Sequence, residues 1–410
     1  PINDAESSSV FWVNMADFAS NVQSIQVQRG VGTSTNGAGA FGASVNMQTD
    51  YVPREAFLGF DASGGSFGTH KESLLFGKGL LKKHFALSGR LSHIASNGFI
   101  DRATSRLNSY FIQAAYLADR TALRFITFNG TERSYLSWEY ATKEAMKDNG
   151  RSYNPSGLWT NANGKTQFYK NQVDDYHQQH YQLLLNQYLA PSLTLNAALH
   201  YTNGLGYYET VKKKRLYEYG VTDPSNVKRN LVRRKYSGAD FYGTVLSLLW
   251  KTQRLEASFG GGYNKYDGDH YGNLLWVEGF AGHYAPHQEY YRNKTNKQDA
   301  NAYARAEWQL LKPEASDAPS LVLSADAQYR HVGIKMRGTT DEFTAPNEQI
   351  QFSVDRSFNF FNPKAGATFQ MGAHRAYASF AVAHKEPTRN DYANAIWTAE
   401  PKHETLHDFE

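Results

Sequence analysis

Histidines and carboxylates gather in one stretch of this sequence: His270, His283 and His287, with Asp267, Asp269, Glu278 and Glu289 nearby. Imidazole and carboxylate together can ligate haem iron or a bare transition metal. His283 and His287 would share a face on a helix, but Pro286 between them opposes one. No firm ligand spacing is present, so the stretch reads as an ordinary polar loop and no metal is assigned. A second set is aromatic: Trp138, Tyr140, Tyr153, Trp159, Phe168 and Tyr169, then Tyr207, Tyr208, Tyr217 and Tyr219. Aromatic faces suit sugars, catechols and flat macrocycles, and stack on cations. The same rings could instead pack loops together or form an interfacial girdle. A third set is basic: Lys212, Lys213, Lys214 and Arg215 could steer an anion, or could simply be solvated.

Catalytic templates fail. There is no G-x-S-x-G, no H-E-x-x-H, no P-loop and no cysteine. Gly37, Gly39 and Gly42 superficially resemble a nucleotide-binding turn, but they precede a strand-like segment rather than a helix. No catalytic residue and no cofactor is assigned, and the chain does not read as an enzyme. A net charge of +4, with acids interleaved among the bases, is too mild for nucleic-acid binding.

The elements that would position these residues are strands. The chain has 410 residues and a mean hydropathy of −0.60, with no apolar run of the ~18 residues a membrane helix needs. Yet long segments alternate with period two. Phe85, Leu87, Gly89 and Leu91 oppose Ala86, Ser88, Arg90 and Ser92. Leu193, Leu195, Ala197, Leu199 and Tyr201 oppose Ser192, Thr194, Asn196, Ala198 and His200. Leu321, Leu323, Ala325 and Ala327 oppose Ser324, Asp326 and Gln328. Such alternation over ~10 residues is the pattern of a transmembrane β-strand. An aromatic content of 14% suits the girdles at the membrane interface. Every second connector is short (81–83, 118–121, 190–192, 251–253, 312–319, 372–374). The others are longer (96–104, 134–177, 206–234, 267–297, 336–355), as in barrels with short periplasmic turns and long outer loops. Roughly 14 strands are predicted, and the fold class is an all-β, antiparallel transmembrane barrel.

One run makes this specific. Gln28-Arg29-Gly30-Val31-Gly32-Thr33-Ser34-Thr35-Asn36-Gly37-Ala38-Gly39-Ala40-Phe41-Gly42 separates two β-like segments, 24–28 and 43–48. It resembles the end of the plug domain of TonB-dependent outer-membrane receptors, where a strand with a V-x-R-G core leads into a Gly-rich apical segment and then the first barrel strand. Gly65 to Thr69 and Ser96 to Arg102 resemble the first hairpin and second outer loop of that family. Lys385-Glu386-Pro387-Thr388-Arg389-Asn390-Asp391-Tyr392, followed by Pro401-Lys402-His403-Glu404, is similar to its "R-x-P-T-R … P-E" segment, with Lys385 in the arginine's place. The long-loop style is similar to that of receptors from Bacteroidetes.

The resemblance implies a plugged barrel of about 22 strands in the outer membrane of a Gram-negative bacterium. Residues 1–52 would be the C-terminal part of the plug, and 53–410 the N-terminal part of the barrel with long extracellular loops. The signal peptide, the TonB-binding box and the last barrel strands are expected to lie outside this sequence. The implied function is active import of a scarce nutrient, foremost a ferric siderophore or other iron complex, with haem, cobalamin, oligosaccharide or peptide as alternatives. Implied partners are the periplasmic TonB protein, outer-membrane lipid and lipopolysaccharide, a small-molecule ligand such as a metal chelate, and a surface lipoprotein. Arg29 would seat the plug through barrel carboxylates. Thr33, Ser34, Thr35 and Asn36 would bind ligand at the plug apex. Trp138, Tyr140, Tyr153, Trp159, Tyr169, Tyr207, Tyr208 and Arg215 would bind it from the outer loops. A reading of another class, a surface glycan-binding protein or adhesin, would need a repeat of ~40 residues, which is not found, or closed soluble sheets with polar outer faces, whereas the outer faces here look apolar.

Overall fold

The computed structural model describes residues 2–37, 39–49, 52–313, 318–345, 348–394 and 400–409, with the side chains of 36, 344 and 394 left aside. An N-terminal segment carries a hairpin of β1 (Val22–Arg29) and β2 (Ala43–Thr49). Then come β3 (Phe57–Gly64), β4 (His70–Leu81), β5 (Phe85–Ser96), β6 (Ser105–Leu117) and β7 (Thr121–Tyr135). A long excursion follows, with α1 (Lys143–Asn149) and a small hairpin of β8 (Leu158–Thr160) and β9 (Thr166–Phe168). The chain continues with β10 (Val173–Ala190), β11 (Leu193–Arg215), β12 (Lys228–Lys251), β13 (Leu255–Val277) and β14 (Gln288–Leu311). It closes with β15 (Ser320–Ala345), β16 (Glu348–Met371), β17 (His374–Lys385), α2 (Arg389–Asn394) and β18 (Glu404–Phe409).

β3 to β7 and β10 to β18 form one 14-stranded sheet, each strand antiparallel to the next, with β3 and β18 at its two edges. The two faces of this sheet are chemically inverted relative to a soluble protein. Phe85, Leu87 and Leu91 point out and are exposed, while Ala86, Ser88 and Ser92 between them are buried. On β15, Asp326, Gln328 and Arg330 are buried and Tyr329 is exposed. An outward apolar face and an inward polar one suit lipid outside and a hydrated, filled lumen inside.

All six short connectors fall where the alternation put them, although 314–317 lie outside the described residues. The loops 96–104 and 134–177 also match. Three others are much shorter than expected. β11 and β12 run through most of 206–234, β13 and β14 through most of 267–297, and β15 and β16 through 336–355 except for 346–347, which are not described. Strands of 23 to 26 residues exceed the ~10 that cross a bilayer. Beyond the lipid nothing demands outward apolar residues, so the period-two signal ends while the hydrogen-bonded ladder continues.

The N-terminal segment sits against the inner face. Asp17 meets Lys71 of β4 at 2.5 Å, and Val31 meets Asp408 of β18 at 2.7 Å. One short segment therefore touches strands near both edges of the sheet, so the sheet curls around it. Met15 and Phe18 pack on Phe111, Ile126 and Phe128 of β6 and β7. Gly130 lets the backbones close up, since a Cβ there would lie 2.1 Å from the Asn14 carbonyl oxygen.

Candidate functional site

The segment is held at two heights. The lower hold lies towards the short turns. Asp326 of β15 accepts from the Ser34 amide at 2.8 Å and from its hydroxyl at 2.5 Å. Lys364 of β16 donates to the Gly32 carbonyl at 2.6 Å. Asp408 accepts from the Val31 amide, and Gly30 (φ +73°) leaves room for that carboxylate, where a Cβ would come within 2.3 Å of it.

The upper hold uses the segment's own acids. Asp17 takes Lys71 and the hydroxyl of Ser92 at 2.5 Å. Glu6 takes His270 of β13 at 2.7 Å and Tyr266 at 3.1 Å, with Arg389 of α2 at 3.6 Å. Burial pushes the Glu6 carboxyl up, but the His270 hydrogen bond and the Arg389 charge outweigh it, and its pKa lies below the ordinary value. Asp17 is likewise pushed up by burial and brought lower on balance by Lys71, Ser20 and Ser92. Beside this hold, Glu386, in the connector after β17, takes Arg330 at 2.8 Å and Lys297 at 2.6 Å. Burial raises its carboxyl, yet those two cations hold it down at about 2.

Above Glu6 opens a cavity of about 530 Å³. Its floor is the segment from Ile2 to Met15, and its walls are the upper parts of β7, β10 to β16 and the exposed turn of α2. Aromatic rings dominate the wall. Trp138 stands edge-on to Tyr208 at 5.3 Å, and Tyr176, Tyr291 and Phe352 add further rings to the lining. Lys235 reaches Asp341 at 2.8 Å and lies 5.4 Å from the Tyr291 ring. Acids outnumber bases in the lining: Asp4, Glu6, Glu132, Asp174, Asp341 and Glu342 against Lys235 and Arg389. Such a wall can stack a flat or carbohydrate surface and accept hydrogen bonds, and it favours neutral or cationic groups over anions.

Of the residues singled out in the sequence, Trp138, Tyr207 and Tyr208 meet in this lining. The others are elsewhere. Tyr140 is 98% exposed. Trp159 stands edge-on to Trp276 at 6.0 Å, and the Tyr169 hydroxyl donates to Glu209 at 2.5 Å. Tyr153 does not line the cavity, and Arg215 caps a short turn, donating to the Asn226 carbonyl at 3.3 Å. Thr33, Ser34 and Thr35 are not at the apex. Ser34 is buried against Asp326, only seven residues up a 26-residue strand from its short-turn end, and the Asn36 side chain lies outside the described residues. A Gly-rich run of small hydroxyls fixes a tight turn but says nothing about its height in the lumen, which the register of β15 and β16 decides. Arg29, expected to seat the segment, is exposed on β1 and makes no ion pair among the described residues. The seating falls to Glu6, Asp17 and the backbone of 31–34. His270, expected in an outer loop, is a strand residue facing Glu6. The floor residues Ile2 to Met15 carry no motif, so nothing along the chain marks them. Lys235 and Asp341 are 106 positions apart and meet only through the sheet.

Comparison with known proteins agrees with this geometry. The profile of the TonB dependent receptor-like β-barrel family matches residues 115–402. The chain is therefore a member of the TonB-dependent receptor family, a family of receptors and transporters rather than enzymes, placed in the outer membrane of Gram-negative bacteria. No curated protein matches the sequence. Among solved structures, the ferric-catecholate import receptor Fiu from E. coli K12 is similar with a TM-score of 0.65 and 14% identity over 90% of this chain and 60% of its own. The ferric citrate transporter FecA gives 0.67 and 11%, over 95% of this chain and 53% of its own. The copper transporter OprC gives 0.66 and 12%, over 94% and 57%. The chain thus spans between half and three-fifths of the length of these structures, and at such identities the likeness concerns the fold.

Proposed function

We propose that this chain is the ligand-capturing part of a TonB-dependent importer. Residues 1–52 are the end of its plug, and 53–410 the first part of its barrel with extracellular loops. The cavity above Glu6 receives the ligand, and the plug is then displaced by the periplasmic TonB protein to open a path. The observation that carries this reading is the cavity itself, which lies between the segment's loop 2–15 and the outer ends of the strands. A ligand seated there touches both the plug and the barrel, so its binding is coupled to the plug's hold.

The ligand proposed is an iron chelate, by analogy with the ferric-catecholate receptor Fiu and the ferric citrate transporter FecA. The acid-rich lining narrows this to a chelate of low net charge, since a trianionic complex would face Glu132, Asp174, Asp4 and Glu342 with few cations to offset them. The mixture of rings and carboxylates also supports a second reading, a neutral oligosaccharide.

Tryptophan fluorescence of the full-length receptor in detergent tests this. A neutral ferric trihydroxamate should quench the emission saturably, a trianionic ferric tricatecholate should not, and Tyr208→Ala should weaken the neutral chelate about tenfold. Saturable binding of the tricatecholate alone would overturn the charge argument. Mass spectrometry with metal analysis of receptor purified from its own bacterium separates chelate from glycan: a stoichiometric, metal-free sugar would replace the iron reading.

A further inference from the structure

A separate set of side chains lies on the opposite, outward face of the sheet. Lys71 and Ser73 of β4 and Ser92 of β5 all point inward to Asp17. Alternation along each strand therefore turns His70, Glu72 and His93 outward. The register places Glu72 directly opposite His93, with His70 one diagonal step away. Each offers a ligand atom, and the three atoms lie within 4.8 Å of one another. The rings of His70 and His93 are 5.9 Å apart.

Two further observations point to a metal. First, both imidazoles already use Nδ1. His70 Nδ1 lies 3.0 Å from the Gly68 carbonyl, which can only accept. His93 Nδ1 lies 2.8 Å from Oδ1 of Asn108 on β6, and the amide is oriented by its own bond to the Thr131 hydroxyl at 3.4 Å. Nδ1 therefore carries the proton in each ring, and Nε2 keeps its lone pair. An outer partner on the far nitrogen is the usual arrangement of a metal-ligating histidine. Second, Glu72 has no ion pair among the described residues, so its carboxylate is available beside two basic nitrogens.

We infer that His70, Glu72 and His93 form an outward-facing site for a divalent transition cation of the zinc, copper or nickel type. Two imidazoles and one carboxylate suit these ions better than magnesium or calcium, which favour all-oxygen sets. Ligands at about 2.0–2.1 Å from a tetrahedral ion stand roughly 3.4 Å from each other. Small rotations of side chains at a partly exposed site close the remaining gap. The fourth position faces outward. The site lies at the outer end of the sheet, just past the outward pair Leu74 and Leu91 and two strand steps from the hairpin at 65–69. An ion there is accessible from outside and is unconnected to the cavity in the lumen.

The test uses the full-length receptor in detergent, without a polyhistidine tag. Calorimetry with zinc and visible absorption with cobalt(II) should show one tightly bound ion per chain, undisturbed by millimolar magnesium. His70→Ala combined with His93→Ala should abolish it. Asn108→Leu keeps all three ligands and should weaken binding about 10- to 100-fold. Heat-modifiable mobility on gels checks that each variant keeps its barrel. Absence of stoichiometric binding to the wild type, binding unchanged in the double variant, or displacement by equimolar magnesium would each overturn the assignment.

Discussion

The lower and upper holds on the N-terminal segment work by different chemistry. Below, Asp326 and Asp408 of the sheet take backbone amides of Val31 and Ser34, and Lys364 takes a backbone carbonyl. Such contacts read the path of the chain and ignore most of its side chains. Above, the segment supplies the charges, Glu6 and Asp17, and Lys71 of the sheet and Arg389 of α2 supply the cations. The lower hold depends on backbone geometry and the upper on ionisation. Only the upper one borders the cavity, so a ligand can bias it directly.

The largest expected effect is at the lower hold. Asp326→Ala leaves the buried Ser34 donors unpaired and strips Lys364 of the carboxylate 3.7 Å away. Breaking a buried pair in this way costs about 3–5 kcal/mol. Hydrogen exchange of 31–35 should accelerate strongly, with 2–15 much less changed; equal acceleration of both would mean that the two holds are one cooperative unit. Next comes Glu6→Gln. It keeps the shape but removes the charge facing His270 and Arg389, for a loss of about 1–3 kcal/mol. Exchange should rise in 2–15, under the cavity, and the lower hold should stay protected.

Acid should act on the upper hold in a defined direction. Glu6 and Asp17 have folded pKa values below their ordinary ones. Their stabilisation is fully present above the unfolded value of about 4 and is lost as pH falls through the folded values. Protection of 2–21 should therefore be flat from pH 7 to about 5 and decline below pH 4. A decline already complete above pH 5 would mean that these two carboxylates do not control the hold.

How far these features were legible follows from where each signal resides. Phe85, Leu87 and Leu91 revealed their face because lipid demands apolar side chains at every second position. The upper halves of β11 to β16 look like loops in the sequence because that demand ends there. Glu6 and His270, 264 positions apart, belong together only through the packing of the segment against β13. His70, Glu72 and His93 have no motif spacing along the chain; the ladder between β4 and β5 assembles them. Ser34 shows a related failure: its hydroxyl is put to use, but at the opposite height from the one its neighbours suggested.

The smallest effect separates the family resemblance from the geometry at one residue. The V-x-R-G core at Val27 to Gly30 marked Arg29 as the seating cation, and charge reversal there would then loosen the segment and make cells sensitive to large antibiotics. In the structure Arg29 is exposed on β1, opposite Ala43 on β2, and its neighbours Gly30 and Val31 make the contact with Asp408 through the backbone. Surface substitutions of this kind stay within about 0.5 kcal/mol. Arg29→Glu should therefore leave exchange at both holds and permeability to large antibiotics unchanged, whereas Gly30→Val, one residue on, should disturb the lower hold because its Cβ meets the Asp408 carboxylate. If Arg29→Glu is the more disruptive of the two, the backbone account of the lower hold is wrong and the arginine seats the segment after all.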